Sequence, residues 1–274
     1  MRPDWSKLSQ DERDAAYDNN RAVANSAVLI EQRNVASAAF RLAHAKYLDI
    51  PYGPKERTKF DLYPSDDPAA PCLVFIHGGY WQRNRREDFA CFAAGAMVHG
   101  WSVAMPGYSL APEATLTEIT AEIDAALTWL TAHGRRHGLA CGPIIVSGWS
   151  AGAHLAAMAL EHASVGAGVA ISGVFDLAPI RQTYLDEKLK LSDQEVAQLS
   201  PLTLPPVNKP LLITYGTREQ WPLVEDSRGL HARRALAHAP GALLPIPVAD
   251  HFTILNQLAD ADSPLTGHIL QLAR

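Results

Sequence analysis

Short apolar runs alternate with segments of helical periodicity along most of the chain. Buried strands are predicted where the runs are continuous, at 72–76, 101–105, 144–146, 165–171, 210–215 and 242–248. Between them, apolar residues spaced three and four positions apart predict helices at 87–99, 115–133, 153–160 and 224–238. The alternation predicts the α/β class, with one mostly parallel central sheet and helices on both of its faces.

The beginning of the chain departs from this alternation. Residues 1–44 predict a helical arm with a break near 17–20, separate from a domain at 45–274. Such an arm either packs on the outside of the domain or lies across the mouth of an active site. Residues 46–50 and 59–63 alternate like the two strands of an antiparallel hairpin.

One internal segment and the end of the chain complete the predicted architecture. Residues 175–209 are polar, helix-prone and rich in proline, which predicts a small helical cap inserted over the strand ends. After Asp250, His251 and Phe252, a final helix is predicted to run to about Ala273.

Composition narrows the classes of partner. The 274 residues are 47% hydrophobic, enough for one large core, and 24 basic and 29 acidic residues give a net charge of −5. This balance argues against a nucleic-acid or anionic-membrane partner, and the sequence contains no run of about 18 apolar residues to span a bilayer. We therefore expect a small-molecule substrate, and the oligomeric state stays open, with a homodimer as one option.

The cysteines and the N-terminal residues indicate the cellular compartment in which the protein is expected. Cys72, Cys91 and Cys141 are odd in number and lack C-x-x-C spacing, and the N-terminus lacks the apolar stretch of an export signal. We expect a cytoplasmic protein with reduced, inert thiols.

The strongest chemical signal is a G-x-S-x-G motif at 148–152, with Ser150 at its centre. It stands between a predicted strand and a predicted helix, which is the context of a nucleophile elbow that lifts a serine hydroxyl out of the sheet edge. In another interpretation, Ser150 only caps the helix that follows.

A second motif, His77-Gly78-Gly79-Tyr80-Trp81, ends the strand at 72–76. Adjacent glycines let main-chain N–H groups point into a cavity, and with the N–H of Ala151 they would bind the oxyanion of a tetrahedral intermediate. The alternative is an ordinary turn between a strand and a loop.

Ser150 needs a base, because a serine hydroxyl is a weak nucleophile at neutral pH. His251 is the candidate, since it follows the last strand and completes the order serine, acid, histidine. His133 and His137 have the i, i+4 spacing of metal ligands, but arginines separate them and no carboxylate is near. We predict no metal site, and nothing requires an organic cofactor.

Three carboxylates compete to be the acid that orients His251. Glu219 follows the strand at 210–215 in a short loop, and we favour it. Glu225 and Asp226 begin the following helix, where acidic residues commonly complement the helix dipole, and Asp226 is the main alternative.

Taken together, these motifs resemble the α/β-hydrolase superfamily, and within it the kynurenine formamidase (arylformamidase) and small-ester esterase branch. The similarity spans about residues 45–274 and rests on His77-Gly78-Gly79-Tyr80-Trp81 followed by Gln82, on Ser150-Ala151-Gly152-Ala153-His154-Leu155 after Gly148, and on the late acid and histidine. Formamidases usually have an aspartate where Glu219 stands, and often a histidine where Trp149 stands.

The resemblance implies hydrolysis of N-formylkynurenine to kynurenine and formate. Ser150, His251 and Glu219 would form the catalytic triad, and the loop around Gly78, together with the main-chain N–H groups of Gly79, Tyr80 and Ala151, would form the oxyanion hole. Four aromatic residues beside these positions would contact a planar leaving group or simply pack around the site: Trp81, Trp149, Trp221 and Phe252.

Two other functions remain open on the sequence. The same machinery would serve a broad-specificity carboxylesterase. A catalytically silent hydrolase used as a binding module is less well supported, because such proteins typically lose the serine or the histidine, and both Ser150 and His251 are present.

Overall fold

An eight-stranded sheet runs through the molecule. The structure is a computed structural model, and it describes residues 4–139 and 142–273. The strands are β1 (Ile50–Pro51), β2 (Lys59–Tyr63), β3 (Cys72–Ile76), β4 (Ser102–Pro106), β5 (Ile144–Trp149), β6 (Val165–Ile171), β7 (Leu211–Gly216) and β8 (Gly241–Ile246). Their order is β1-β2-β4-β3-β5-β6-β7-β8. The pairs β1–β2 and β2–β4 are antiparallel and the others are parallel, which confirms the predicted mostly parallel sheet.

Helices connect these strands and also form the N-terminal arm. The α-helices are α1 (Gln10–Tyr17), α2 (Asn19–Ala22), α3 (Ser26–Ala43), α4 (Ala94–Val98), α5 (Leu116–His133), α6 (Ala151–Ala159), α7 (Asp186–Leu189), α8 (Asp193–Gln198), α9 (Trp221–Leu236), α10 (Asn256–Ala259) and α11 (Pro264–Gln271). Short 3-10 helices cover Trp5–Lys7, Ala45–Tyr47, Arg86–Ala93, Gly134–His137, Ile180–Gln182 and Thr253–Leu255.

Alternate residues of the central strands point into two separate cores. In β3, Val74 and Ile76 join a core with residues of α5, α6 and α9, whereas Leu73 and Phe75 join one with residues of α4, α10 and α11. Because side chains alternate across a strand, both faces of β3 are covered. The continuous apolar run of this strand follows from that double burial.

Three predicted elements have different forms in the structure. The strand predicted at 46–50 is a 3-10 helix followed by the two residues of β1, because Asp49 takes a φ of 56° and its N–H donates to Asp61 Oδ1 at 3.1 Å. The first half of the helix predicted at 87–99 is a 3-10 helix. The final helix is broken at Ser263, whose hydroxyl caps a new helix that has Pro264 in its first turn.

The arm has the predicted break, between α1 and α2, where Asp18 caps α2. The segment predicted as a cap contains α7 and α8, and its function as a cap stays a prediction. Cys72 and Cys91 are free thiols, and burial raises the pKa of Cys72 to about 12, while Cys141 lies outside the described residues. Within the described ranges, we find no helix with the length and apolar character needed to cross a membrane.

A buried ion-pair network joins the arm to the sheet. Asp61 on β2 has no exposed surface, and it accepts hydrogen bonds from Arg41 Nε on α3 at 2.7 Å and from Arg86 Nε at 3.1 Å. Asp49, which is about half exposed, pairs with the same two arginines. The buried carboxylate therefore holds α3 against the domain.

Replacing Asp61 tests this connection. Asp61→Ala should lower the free energy of unfolding by about 3 kcal/mol, because it leaves the guanidinium of the buried Arg86 short of a partner. The control variant Asp49→Asn should cost about 1 kcal/mol or less, because the lost charge is exposed to water and asparagine tolerates the positive φ of this position. Urea unfolding followed by circular dichroism measures both, and equal losses would show that the burial of Asp61 is irrelevant.

Candidate active site

Ser150 occupies a sharp turn between β5 and α6. Its backbone has φ 57° and ψ −120°, a conformation that L-residues rarely adopt. The N–H of Ser150 donates to the carbonyl of Ile171 on β6 at 2.8 Å, and its own carbonyl accepts from the N–H groups of Ala153 and His154. The strained residue is thus held by main-chain bonds on both sides, as expected for a nucleophile elbow.

The two glycines of the motif make this turn sterically feasible. A Cβ on Gly148 would lie 2.1 Å from the carbonyl oxygen of Gly152, and a Cβ on Gly152 would lie 2.0 Å from that of Ile76. Both distances are far inside van der Waals contact. The turn therefore requires glycine at both positions because main chain packs directly on main chain.

The loop after β3 packs against the elbow in an unusual conformation. Positive φ angles occur at Gly79 (124°), Tyr80 (51°), Trp81 (57°) and Asn84 (72°). A Cβ on Gly78 would lie 2.9 Å from Cβ of Ser150, so the close approach of loop and serine requires a glycine there. Strained residues of this kind cluster where a function needs a fixed geometry.

Main-chain donors are available beside Ser150. Among the hydrogen bonds between described residues, none uses the N–H of Gly79, Tyr80 or Ala151 as a donor. Ala151 is the first residue of α6, and the N–H groups of a first helical turn have no partner within the helix. These three amides thus have no main-chain acceptor among the described residues, and their part in an oxyanion hole stays a prediction.

His251 and Glu219 form a buried pair. His251 Nδ1 lies 2.9 Å from Glu219 Oε2, and the two side chains are 4% and 0% exposed. The other carboxylate oxygen, Oε1, accepts from Ser172 Oγ at 2.5 Å and from the N–H of Gly216 at 2.6 Å. In the tautomer whose Nδ1–H donates to Glu219, Nε2 of His251 is left to accept a proton, which is the arrangement a general base needs.

The competing carboxylates lie elsewhere. Asp226 Oδ2 accepts from the N–H groups of Phe175 and Asp176 at 2.8 and 3.0 Å, which fixes the chain after β6. Glu225 is 3.7 Å from Arg228 on the same helix. Of the three candidates, the structure brings Glu219 to His251, and Ser172 is a supporting residue that no motif marks.

The predicted aromatic residues divide into two pairs. Trp149 and Phe252 line the cavity that contains Ser150 and His251, and Trp149 Nε1 donates to the carbonyl of His251 at 2.9 Å. Trp81 is fully buried and meets His154 edge-on, while Trp221 packs against Trp5 of the arm. Neither Trp81 nor Trp221 is part of the cavity lining, since Trp81 is packed in the core and Trp221 lies against the arm.

The cavity itself is small, about 50 Å³, and the N-terminal arm forms one of its walls. Asn19, Asn20, Ile30 and Arg33 come from this arm, opposite the residues of the 79–84 loop. The arm therefore lies across the site, the second of the two placements considered from the sequence. No motif marked its individual residues, although the break near 17–20 identifies where the chain turns.

Side-chain and main-chain contacts fix the arm in this position. The hydroxyl of Tyr80 donates to the carbonyl of Tyr17 at 2.8 Å and accepts from Asn19 Nδ2 at 2.9 Å. Gln220 Nε2 donates to the carbonyl of Ala15 at 3.0 Å. Tyr80 thus lines the cavity and also anchors the arm through its side chain.

The other two histidines of the motifs are structural. His77 Nδ1 lies 2.9 Å from the carbonyl of Gly78, and His154 Nε2 lies 2.6 Å from that of Leu199. Burial lowers their pKa values to about 3 and about 4, so both rings are neutral at pH 7. Both rings therefore hold neighbouring main chain through hydrogen bonds.

Comparison with known proteins adds a family context to this geometry. The family model BD-FAE matches residues 60–167. Kynurenine formamidase of Danio rerio is 26% identical over 292 residues, which covers 98% of this chain and 98% of that protein. The kynurenine formamidase of Salmo salar is 28% identical over 245 residues, covering 82% of this chain and 81% of that protein.

Solved structures of other hydrolases share the fold of this chain. A candidate thioesterase from a Silicibacter species superposes with a TM-score of 0.84 at 29% identity, over 94% of this chain and 99% of that one. Esterase B from Lactobacillus rhamnosis has a TM-score of 0.68 at 18% identity, over 91% and 96% of the two chains, and so bears on the fold alone.

The sheet, the elbow and these matches define the chain as an α/β-hydrolase. Its relatives include formamidases and esterases, and they support a hydrolase activity for it. The cytoplasmic location and the homodimer stay predictions.

Proposed function

We propose that the chain is a serine hydrolase that removes a small acyl group from an aromatic amine, with N-formylkynurenine as the favoured substrate. The observation that carries the proposal is the buried Glu219–His251 pair, whose histidine lines one small cavity with Ser150, Gly79 and Tyr80. A nucleophile, an oriented base and oxyanion donors are the parts that acyl transfer requires.

The reaction would proceed in two halves. Ser150 Oγ attacks the carbonyl carbon while His251 Nε2 takes its proton, and Glu219 stabilises the imidazolium through Nδ1. The N–H groups of Gly79, Tyr80 and Ala151 bind the oxyanion, and each such donor typically contributes roughly 100- to 1,000-fold to the rate.

His251 then returns its proton to the departing amine, and the C–N bond breaks to leave an acyl group on Ser150 Oγ. Water, deprotonated by the same imidazole, attacks the acyl-enzyme and releases the acid. For a formamide the net reaction consumes one water and yields the arylamine and formate.

Two observations favour a formamide over larger substrates. The cavity beside Ser150 is small, about 50 Å³, which favours a short acyl group over a long acyl chain. The Danio rerio kynurenine formamidase also matches over nearly its whole length, whereas Esterase LipQ of Mycobacterium tuberculosis, 34% identical, matches over 29% of its own length.

A broad-specificity carboxylesterase is the second candidate. The solved structures that share the fold include several esterases, and nothing in the Ser150 and His251 arrangement distinguishes an ester carbonyl from a formamide carbonyl.

The two candidates predict opposite substrate preferences. For a formamidase, kcat/KM for N-formylkynurenine should exceed that for 4-nitrophenyl acetate, even though the ester is chemically more reactive. Steady-state assays of both substrates on the same preparation measure the ratio. A preference for the ester would favour the carboxylesterase.

The role of Glu219 is tested by a pair of isosteric substitutions. Glu219→Gln should lower kcat by about 10⁴-fold, because an amide can donate to His251 and stabilise the wrong tautomer. Asp226→Asn should leave kcat within a few-fold of the wild type, since Asp226 accepts from the N–H groups of Phe175 and Asp176, whereas Glu219 is the carboxylate paired with His251. If Asp226→Asn lowered kcat more than Glu219→Gln did, Glu219 would not be the triad acid.

A further inference from the structure

The charged side chains that line the Ser150 cavity are of one sign. Arg33 from α3 and Arg83 from the loop after β3 both line it, and the lining contributed by the described residues contains no aspartate or glutamate. Glu219 is withdrawn behind His251, with both of its oxygens occupied. An anionic group entering the cavity would therefore meet two cations and no opposing carboxylate.

Of the two arginines, Arg33 is better placed than Arg83 to bind an anion. Its guanidinium lies over the ring of Phe89, with Cζ 4.1 Å from the centroid, and Nε and Nη2 donate to Asn34 Oδ1 at 3.2 and 2.9 Å. Stacking on one face and two hydrogen bonds along one edge fix the plane of the group. Arg83, by contrast, is solvent-exposed, and water screens its charge.

The charge of Arg33 has no directly paired carboxylate in the described part of the chain. Among the described residues, no carboxylate oxygen forms a salt bridge with its guanidinium, and Asp88 acts on it only at longer range. Arg41 and Arg86 of the same region each contact Asp61 directly. A half-buried guanidinium has lost part of its hydration, so an unpaired one has a strong tendency to bind an anion.

The position of Arg33 indicates which part of a substrate it would meet. Arg33, Ile30 and Phe252 line the Ser150 cavity and also a larger one, of about 260 Å³, between α3 and the C-terminal helices. The acyl carbon must lie at Ser150, and the acyl group of a formamide is a single carbon. The bulk of the substrate, its leaving group, is then the part that extends toward Arg33.

We infer that Arg33 is a specificity-determining residue that binds a carboxylate on the leaving group, so that the substrates are aryl amides or aryl esters carrying an anionic group. The inference rests on the proposed function, because it takes Ser150 as the point of attack. It assigns to the N-terminal arm a direct part in substrate selection.

A matched pair of aryl acetates tests this inference without relying on a formamide. 3-Acetoxybenzoate carries a carboxylate on the leaving group, and phenyl acetate does not. Arg33→Met should raise KM for 3-acetoxybenzoate roughly 10- to 100-fold, the range expected for losing a hydrogen bond to a charged group, with kcat changed only a few-fold. KM for phenyl acetate should stay unchanged, and Arg33→Lys should recover part of the loss.

Arg21→Met is the matched control. Arg21 lies on α2 of the same arm and is exposed, and it is absent from the cavity lining. This variant should leave the ratio of the two KM values at its wild-type level. If Arg33→Met raised KM for both esters equally, Arg33 would be only a structural residue and the inference would be overturned.

Benzoate binding, measured by titration calorimetry, separates this inference from the proposed function because it requires no turnover. The wild type should bind benzoate at least 10-fold more tightly than Arg33→Met. If that difference appears in a protein that hydrolyses neither ester, the anion site stands and the proposed function fails. Equal benzoate affinities would overturn the anion site whatever the turnover.

Discussion

Close packing of main chain on main chain at the elbow is the constraint on which the site depends. Gly148 meets the carbonyl of Gly152, and Gly152 meets that of Ile76, at distances that exclude any side chain. This contact ties α6 to β3 and β5, and it forces Ser150 into its left-handed conformation. The strain is sustained because buried strands on both sides fix the turn.

Three separate parts of the chain complete the site around that turn. The loop after β3 brings unpaired amides, and the segments after β7 and β8 bring Glu219 and His251 into a buried hydrogen bond. The N-terminal arm closes the remaining side and is held by the Tyr80 hydroxyl and by the Arg41–Asp61 ion pair. The segments that follow the strands thus position Ser150, Glu219 and His251, whereas the arm closes one side of the cavity and brings Arg33 to it.

The pattern of apolar residues along the sequence predicted the strands that are buried on both faces. The strands at 72–76 and 165–171 match to the residue, because strands covered on both faces are uniformly apolar. Position in the sequence favoured Glu219 over Asp226 but could not decide between them, since the choice depends on how two distant loops meet. The placement of Arg33 was equally inaccessible, because the arm reaches the site through long-range contacts that leave no periodic signal.

Covalent labelling of Ser150 is the most direct measurement of the central claim. A fluorophosphonate probe followed by peptide mass spectrometry should give one adduct, on the peptide that contains Ser150, and none in Ser150→Ala. His251→Ala should label far more slowly, because the hydroxyl has lost its base. A folded wild-type protein that stays unlabelled, or equal labelling of Ser150→Ala, would contradict the account.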